Sequence, residues 1–207
     1  MPTPTLPHDV RQELLGDGLT LGRSGLELDG VDLGSLAARH GTPLYVYGRQ
    51  TLSRRFDELE EAGRAIGRPF EIRYAMKSNR FGSVLDLVRQ RGLKVDTCSP
   101  REVERALTHG FSPERLSLTA GMLSQRDLAQ VARYGVKPNL DTFSVIRRWA
   151  ETPGRGLDRI GLRINPEVSV GWGEEPKLAY GNSKFGFDQD KVLDAVAFAR
   201  SHGLEVD

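Results

Sequence analysis

Short strand-like runs recur in this sequence at an almost constant interval, and that repeat constrains the fold more than any other feature. The runs begin near Glu71, Leu93, Leu116, Lys137 and Ile160, so successive starts are 22, 23, 21 and 23 residues apart. Helical patterns fill the intervals, over Ser83 to Gln90, Ser99 to Thr108, Ser124 to Arg133 and Thr142 to Glu151. Strands that alternate with helices of about 10 residues predict right-handed βαβ units and a parallel sheet.

The residues after the first strand favour one of the two architectures that share this alternation. A doubly wound sheet usually carries a glycine-rich phosphate loop there, whereas the run from Phe70 to Met76 leads into Lys77, Ser78 and Asn79. An even βα period with polar residues at the strand ends favours a (β/α)8 TIM barrel. Five units are complete, and residues 204–207 resemble the start of a sixth strand. Because a closed barrel needs about 250 residues, we expect an incomplete barrel of five to six βα units, the front part of a longer protein.

The helical patterns of the repeat each open on a serine or a threonine, which can accept a hydrogen bond from a first-turn amide. The clearest start is Ser99, followed by Pro100 and, three residues after the cap, by Glu102. Residues 1–43 are predicted to be an irregular lead-in with a short strand at 26–28 and a short helix at 33–40. A β-prone run at 44–47 and a helix capped by Thr51 then open the barrel region, residues 44–207.

Composition and charge exclude several classes of partner. The 29 basic and 28 acidic residues leave a net charge of +1, so we expect a small-molecule partner rather than a nucleic acid or a membrane surface. The single cysteine, Cys98, excludes an intrachain disulfide, and no metal site is expected because no Cys/His cluster has zinc spacing. No secretion signal opens the chain, and no stretch approaches the roughly 18 apolar residues that span a bilayer. These features predict an unprocessed cytoplasmic protein.

Lys77 stands at the end of the first strand, where α/β folds place their chemistry. A partly desolvated lysine can lose its proton and form a Schiff base with an aldehyde such as pyridoxal phosphate, and the alternative is a solvated lysine that only marks the strand end. Polar residues follow the later strands as well, at Asp96, Ser99, Glu102, Thr119, Asp141, Arg163 and Asn165, together with Gly121. Ser99 and Asp141 are expected to be helix caps or loop residues.

A glycine-rich loop from Pro166 to Phe187 is longer than its counterparts. Loops of this length are commonly functional, and the alternative is a flexible insertion. The end of the loop, Asn182 to Phe187, precedes a predicted helix that Asp188 opens.

Four segments together resemble one family. They are Tyr74-Ala75-Met76-Lys77-Ser78-Asn79, Val95-Asp96-Thr97-Cys98-Ser99 leading into Glu102, Leu162-Arg163-Ile164-Asn165-Pro166, and Ser183-Lys184-Phe185-Gly186. The residues of these segments, their order and their spacing are similar to those of the alanine-racemase-like, fold type III enzymes that use pyridoxal phosphate. Among these, the resemblance is strongest to diaminopimelate decarboxylase and to the related decarboxylases, and it covers roughly residues 40 to 207.

The resemblance implies a role for individual residues. Lys77 matches the lysine that holds pyridoxal phosphate through an imine bond and returns a proton after carbon dioxide has left. Asp96 and Arg163 match polar residues near the cofactor ring. Glu102 matches an acidic residue packed close to that site, and Ser183 and Lys184 match a segment at the edge of the substrate cleft.

The resemblance also implies an organisation of the intact protein. Family members form homodimers, and they carry a phosphate loop and a C-terminal β-domain that are absent from these 207 residues. The lead-in, residues 1–43, corresponds to part of that second domain. Decarboxylation is therefore expected of the intact protein rather than of this chain alone.

The identity of the substrate stays open at this point. The main expectation is conversion of meso-diaminopimelate to lysine. Residues 120–124 and the loop around Trp172 differ from the commonest diaminopimelate sequences, so ornithine, lysine, arginine, carboxynorspermidine or a D-amino acid is an alternative. A racemase on the same barrel and a non-catalytic pyridoxal phosphate-binding protein are the competing functions.

Overall fold

The structure is a computed structural model that describes residues 16–166 and 184–207. The chain divides into two compact units, one that ends at Phe70 and one that begins at Glu71. A domain boundary between residues 43 and 44 stays a prediction. Most of the predicted glycine-rich loop, including Ser183, lies outside the described residues, as does the start of the lead-in.

Residues 16–70, the described part of the first unit, contain a small antiparallel sheet and two helices. Strands β1 (Leu19–Leu21), β2 (Leu26–Leu28) and β3 (Val31–Asp32) pair in sequence order. Helix α1 (Leu33–His40) begins directly after β3. Asp32 caps it, because its carboxylate accepts a hydrogen bond of 2.6 Å from the amide of Ser35. The predicted strand at 26–28 and the predicted helix at 33–40 are both confirmed.

Helix α2 (Arg49–Ala65) begins two residues before the predicted cap, so the assignment of Thr51 as its cap is wrong. The capping group is the carboxylate of Asp29, which accepts hydrogen bonds from the amide of Gln50 (2.7 Å) and the hydroxyl of Thr51 (2.8 Å). A residue about 20 positions earlier in the chain therefore satisfies the free amides of the first turn. The β-prone run at 44–47 forms no strand, and the side chain of Tyr45 is 88% exposed.

The second unit contains a six-stranded parallel sheet. Its strands are β4 (Arg73–Ala75), β5 (Lys94–Thr97), β6 (Leu116–Thr119), β7 (Lys137–Leu140), β8 (Arg159–Leu162) and β9 (Glu205–Val206). Each strand pairs with the next one in the sequence. A doubly wound sheet would reverse its strand order at a switch point, so this unbroken order confirms the prediction of an incomplete (β/α)8 barrel.

In the described parts of the connections, five α-helices lie between these strands, and most start as the sequence predicts. They are α3 (Gly82–Gln90), α4 (Pro100–Thr108), α5 (Gln125–Tyr134), α6 (Phe143–Ala150) and α7 (Val192–Ser201), with 3-10 turns at Pro113–Arg115 and Gln189–Lys191. Ser99, Ser124 and Thr142 each accept a hydrogen bond from a first-turn amide, as expected. Ser83 does not cap α3, which starts one residue earlier and has no side-chain cap. The helix predicted at Asp188 begins as a 3-10 turn.

The two faces of this sheet differ in polarity. Side chains alternate along a strand, and the face covered by the helices carries Val95, Leu116, Leu118, Leu140 and Ile160, all almost fully buried. The opposite face, called here the inner face, carries Lys94, Asp96, Ser117, Thr119, Lys137 and Asn139 at matching registers. The apolar core therefore lies between sheet and helices, and polar groups line the inner face. None of the helices in the described ranges has the length and apolar character needed to cross a membrane.

Candidate active site

Lys77 lies at the carboxyl edge of the sheet, two residues beyond β4. The backbone there is fixed, because the amide of Met76 donates to the carbonyl of Asp96 at 3.0 Å and the Met76 side chain is fully buried. Ser78 closes a turn by donating its hydroxyl to the carbonyl of Ala75 at 2.7 Å. The side chain of Lys77 itself is exposed. The strand end thus presents a primary amine on a well-anchored backbone.

Cys98 lies near enough to this lysine to be affected by its charge, and Glu102, in the first turn of helix α4, contacts Cys98. The Glu102 carboxylate is 5% exposed and accepts from the amide of Cys98 at 2.9 Å and from its thiol at 3.2 Å. Burial, followed by the hydrogen bond and charge of Glu102, raises the pKa of the Cys98 thiol, while the charge of Lys77 opposes that shift. The charge of Asp96 raises the same pKa. Lys77, Asp96 and Glu102 therefore all lie close enough to Cys98 to act on its thiol.

Asp96 is held on the inner face by two hydroxyl groups from the neighbouring strand. Its Oδ1 atom accepts from Ser117 Oγ at 2.7 Å and from Thr119 Oγ1 at 2.8 Å. The side-chain amide of Asn139, on the next strand, donates to Thr119 Oγ1 at 2.8 Å. A continuous row of polar side chains thus crosses β5, β6 and β7 beneath the carboxyl edge.

Arg163 stands one residue beyond β8 and stacks on an aromatic ring. Its guanidinium carbon lies 4.3 Å from the ring centre of Phe185, and the ammonium nitrogen of the exposed Lys184 lies 5.3 Å from the same ring. The segment is held in place by backbone pairing, because Phe187 donates to the carbonyl of Arg163 at 2.8 Å. Gly186 has a φ of +86°, and a Cβ atom there would lie 2.6 Å from the amide of Asn165.

Asp141 borders a cavity of about 630 Å³ at the carboxyl ends of β6 and β7, a volume within the range of ligand sites. Its lining includes residues 121–124, Thr142, Ser144, Arg148, Lys184 and Phe185. The sequence predicts that Asp141 is a helix cap or a solvated loop residue. It lies in the loop before helix α6, but Thr142 caps that helix and the Asp141 side chain is only 8% exposed, so neither prediction holds in full. Burial raises the pKa of the Asp141 carboxyl, and the charge of Arg163 opposes this shift.

The predicted residues fall into two groups on one edge of the sheet. Lys77, Asp96 and Glu102 surround Cys98, whereas Arg163 and Lys184 surround Phe185. Sequence reasoning did not single out Ser117 and Asn139, although their place on consecutive strands, about 20 residues from Asp96 and Thr119, could have indicated them. Within residues 16–166 and 184–207, no three His, Cys, Asp or Glu side chains are grouped as metal ligands would be.

Comparison with known proteins gives one consistent result. The family model described as "Pyridoxal-dependent decarboxylase, pyridoxal binding domain" matches residues 49–206. The diaminopimelate decarboxylase of Methanothermobacter thermautotrophicus is 31% identical over 180 residues, which is 87% of this chain and 42% of the relative. The enzyme of that name from Streptomyces coelicolor is 31% identical over 185 residues, or 86% of this chain and 40% of the relative.

Comparison with solved structures leads to the same family. A variant of the diaminopimelate decarboxylase of Helicobacter pylori, solved in complex with L-lysine, superposes with a TM-score of 0.75 at 26% identity. The match covers 84% of this chain and 45% of that one. The chain therefore spans less than half the length of the proteins it matches.

Proposed function

The chain belongs to the pyridoxal-dependent decarboxylases, and from that premise we propose that the intact protein decarboxylates a diamino acid on pyridoxal phosphate held by Lys77. The relatives at 31% identity are named for diaminopimelate, and the Helicobacter pylori relative was solved with L-lysine. These names support meso-diaminopimelate as the substrate and lysine as the product. The observation that carries the proposal is the place of Lys77, an exposed amine at the end of a strand that pairs with the strand of Asp96.

The residues around Lys77 fit the cofactor. An accessible amine is what an aldehyde requires for a covalent bond, and no donor from the described part of the chain occupies Asp96 Oδ2. When bound, pyridoxal phosphate supplies an electron sink for the pair of electrons that carbon dioxide leaves behind. The protein supplies orientation and electrostatics around it.

We assign each residue a task within this proposal. Lys77 holds the cofactor and returns a proton to the substrate carbon. Asp96 and Arg163 present a negative and a positive charge toward the cofactor ring. Glu102 supports the site through Cys98, and Ser183 and Lys184 border the substrate cleft, where the ammonium group of Lys184 attracts a substrate carboxylate.

Borohydride reduction tests the proposed role of Lys77. The purified protein is mixed with pyridoxal phosphate, reduced, digested and analysed by mass spectrometry. We expect one dominant adduct, on Lys77, and its loss in Lys77→Ala. Lys191→Ala, which removes an exposed lysine from the start of helix α7, is the matched control and should keep the adduct. Labelling spread evenly over the lysines would contradict the proposal.

Product analysis of the intact protein tests the reaction and its substrate. We expect carbon dioxide and lysine from meso-diaminopimelate, and no release from Lys77→Ala. Release only from ornithine, lysine, arginine, carboxynorspermidine or a D-amino acid would move the assignment to that substrate. Inversion without loss of mass would indicate a racemase. An adduct on Lys77 without turnover of any amino acid would indicate a non-catalytic pyridoxal phosphate-binding protein.

Two further properties are part of the proposal. A cytoplasmic location is supported by the single cysteine, which suits a reducing compartment. A homodimer is supported by the family resemblance. Light scattering of the intact protein tests the second point, and a monomeric mass with full activity would contradict it.

A further inference from the structure

We propose that Ser117, Thr119 and Asn139 are positioning residues, which fix the orientation of the Asp96 carboxylate with Oδ1 engaged and Oδ2 free to face the cofactor. This inference rests on the proposed function for its purpose, although its main test needs no cofactor. The three residues lie outside the four segments that resemble the family, and none of them borders the cavity beside Asp141.

The first argument is geometric. Both hydroxyl donors approach the same carboxylate oxygen, at 2.7 Å from Ser117 and 2.8 Å from Thr119. Two donors on one atom of Asp96 fix the rotation of the carboxylate about its bond to the rest of the side chain. The second oxygen is thereby held in one direction, without a donor from residues 16–166 and 184–207.

The second argument concerns the direction of the hydrogen bonds. The side-chain amide of Asn139 can only donate through its nitrogen, so Thr119 Oγ1 must accept from it. The hydroxyl proton of Thr119 is then directed to Asp96, which must act as the acceptor. The row therefore has one direction, from the Asn139 amide through the Thr119 hydroxyl to Oδ1 of Asp96.

The third argument is the close packing at the end of the row. A Cβ atom on Gly161, on strand β8, would lie 2.1 Å from Asn139 Oδ1. The absence of a side chain at Gly161 leaves room for the Asn139 amide at this register, where Asn139 pairs with Gly161. The row is thus fixed at one end by a backbone and at the other by the carboxylate of Asp96.

The thiol of Cys98 reports on this carboxylate in the cofactor-free protein. It is the only cysteine of the chain, so alkylation by iodoacetamide measures one group. Burial and then Glu102 raise the pKa of this thiol most, the charge of Lys77 opposes the shift, and the negative charge of Asp96 adds to it. A change in the alkylation profile between variants that keep Glu102 and Lys77 therefore reports on Asp96 without any bound ligand.

The experiment compares four variants of the purified protein. Asp96→Asn should increase the alkylation rate near neutral pH by about threefold, because it removes a nearby negative charge. Thr119→Val combined with Ser117→Ala should also change the profile, because the Asp96 carboxylate is no longer held in one direction relative to Cys98. Thr119→Ser in the wild-type background keeps a hydroxyl group at position 119 and should leave the profile at that of the wild type. Thr152→Val is the matched control, since Thr152 also accepts from an amide, that of Gln125, and donates to a carbonyl far from Asp96.

A second readout uses the bound cofactor. The circular dichroism of the cofactor band, per mole of cofactor bound, should fall in the Thr119→Val variant and stay at the wild-type value in Thr152→Val. Loss of thermal stability in the Thr119→Val and Ser117→Ala variants with an unchanged Cys98 profile would overturn the inference and leave these hydroxyls a structural role. An equal shift of the profile in Thr152→Val would overturn it as well. If no adduct forms on Lys77, the proposed function fails, and the alkylation profile still decides the role of the row.

Discussion

Two aspartates near helix starts, Asp141 and Asp127, show how surroundings decide the behaviour of a single residue. The carboxylate of Asp127 accepts from the hydroxyl and amide of Ser124 at the start of helix α5, and these bonds lower its pKa. Asp141 is buried beside the cavity, and burial raises its pKa against the opposing charge of Arg163. The pKa of the same side chain is thus lowered at one site and raised at the other.

The raised pKa of Asp141 predicts a pH-dependent cost to stability. The folded chain holds this proton to higher pH than the unfolded chain does, so the free energy of unfolding falls as pH rises above the ordinary value of 3.8. Asp141→Asn removes the dependence. The free energy of unfolding of the variant, relative to that of the wild type, should therefore rise by on the order of 1 kcal/mol between about pH 4 and about pH 7. Thermal unfolding at each pH measures this difference. Asp127→Asn, the control, should become less favourable over the same range, and a constant difference for Asp141→Asn would contradict the prediction.

At the scale of elements, the sheet edge near Arg163 is extended by a short pairing rather than by a full strand. Phe187 exchanges hydrogen bonds with the backbone on both sides of Ile164, at 2.8 Å to Arg163 and 2.7 Å from Asn165. Gly186 makes this approach possible, since its conformation disfavours a side chain and the amide of Asn165 leaves no room for one. The glycine therefore holds the Phe185 ring against Arg163.

Gly186→Ala should lower the free energy of unfolding by more than the cost of placing an alanine at a positive φ. The matched control is Gly203→Ala, because Gly203 also has a positive φ, +71°, but nothing lies within 4 Å of its added Cβ. We expect a loss of about 1 kcal/mol for the control and about 2 to 3 kcal/mol for Gly186→Ala, measured by urea unfolding. Equal losses would show that the contact with Asn165 relaxes freely.

Helices and strands were predictable where neighbouring residues in the sequence determine them. They were not predictable where a residue distant in the sequence must pair with them or cap them. The cap at Ser99 and the strand starts follow from neighbouring residues, and the structure agrees. The run at 44–47 has strand-prone residues but forms no strand, because β-propensity depends on pairing and burial that a local pattern does not contain. The prediction that Thr51 caps helix α2 is wrong for a similar reason, since the capping carboxylate of Asp29 comes from a distant part of the sequence.

For the site, the strand ends were enough to indicate Lys77, Asp96 and Arg163 as candidates. The row on the inner face was less predictable, because its spacing of about 20 residues is visible in the sequence but a serine or an asparagine within a strand reveals neither its face nor its register. The burial of Asp141 was also hidden, since a polar residue before a helix is more often a cap. Only the assembled sheet brings these side chains to one edge.

At the scale of the whole sheet, charged groups on the inner face connect strands that do not pair with each other. The ammonium group of Lys137 on β7 reaches across β8 to the carboxylate of Asp207, at 2.6 Å. Arg159 on β8 binds the same carboxylate at 2.7 Å. Three strands thus share one acidic group, next to the strand that lies farthest from β4 in the pairing order.

Asp207→Asn tests whether this group stabilises the sheet as a unit. The hydrogen bond from Lys137, followed by the charges of Lys137 and Arg159, lowers the pKa of Asp207 against the effect of burial. Its contribution is therefore present above pH 3.8 and is lost as pH falls through the lowered value. Since both partners are about one-third exposed, we expect a loss of only about 1 kcal/mol at neutral pH, measured by urea unfolding. As pH falls through the lowered pKa of Asp207, variant and wild type should converge. Asp190→Asn, which removes a more exposed pair with Lys191, should change stability by less than about 0.5 kcal/mol at either pH. A loss for Asp207→Asn that persists unchanged in acid would show that its ion pairs do not hold the three strands together.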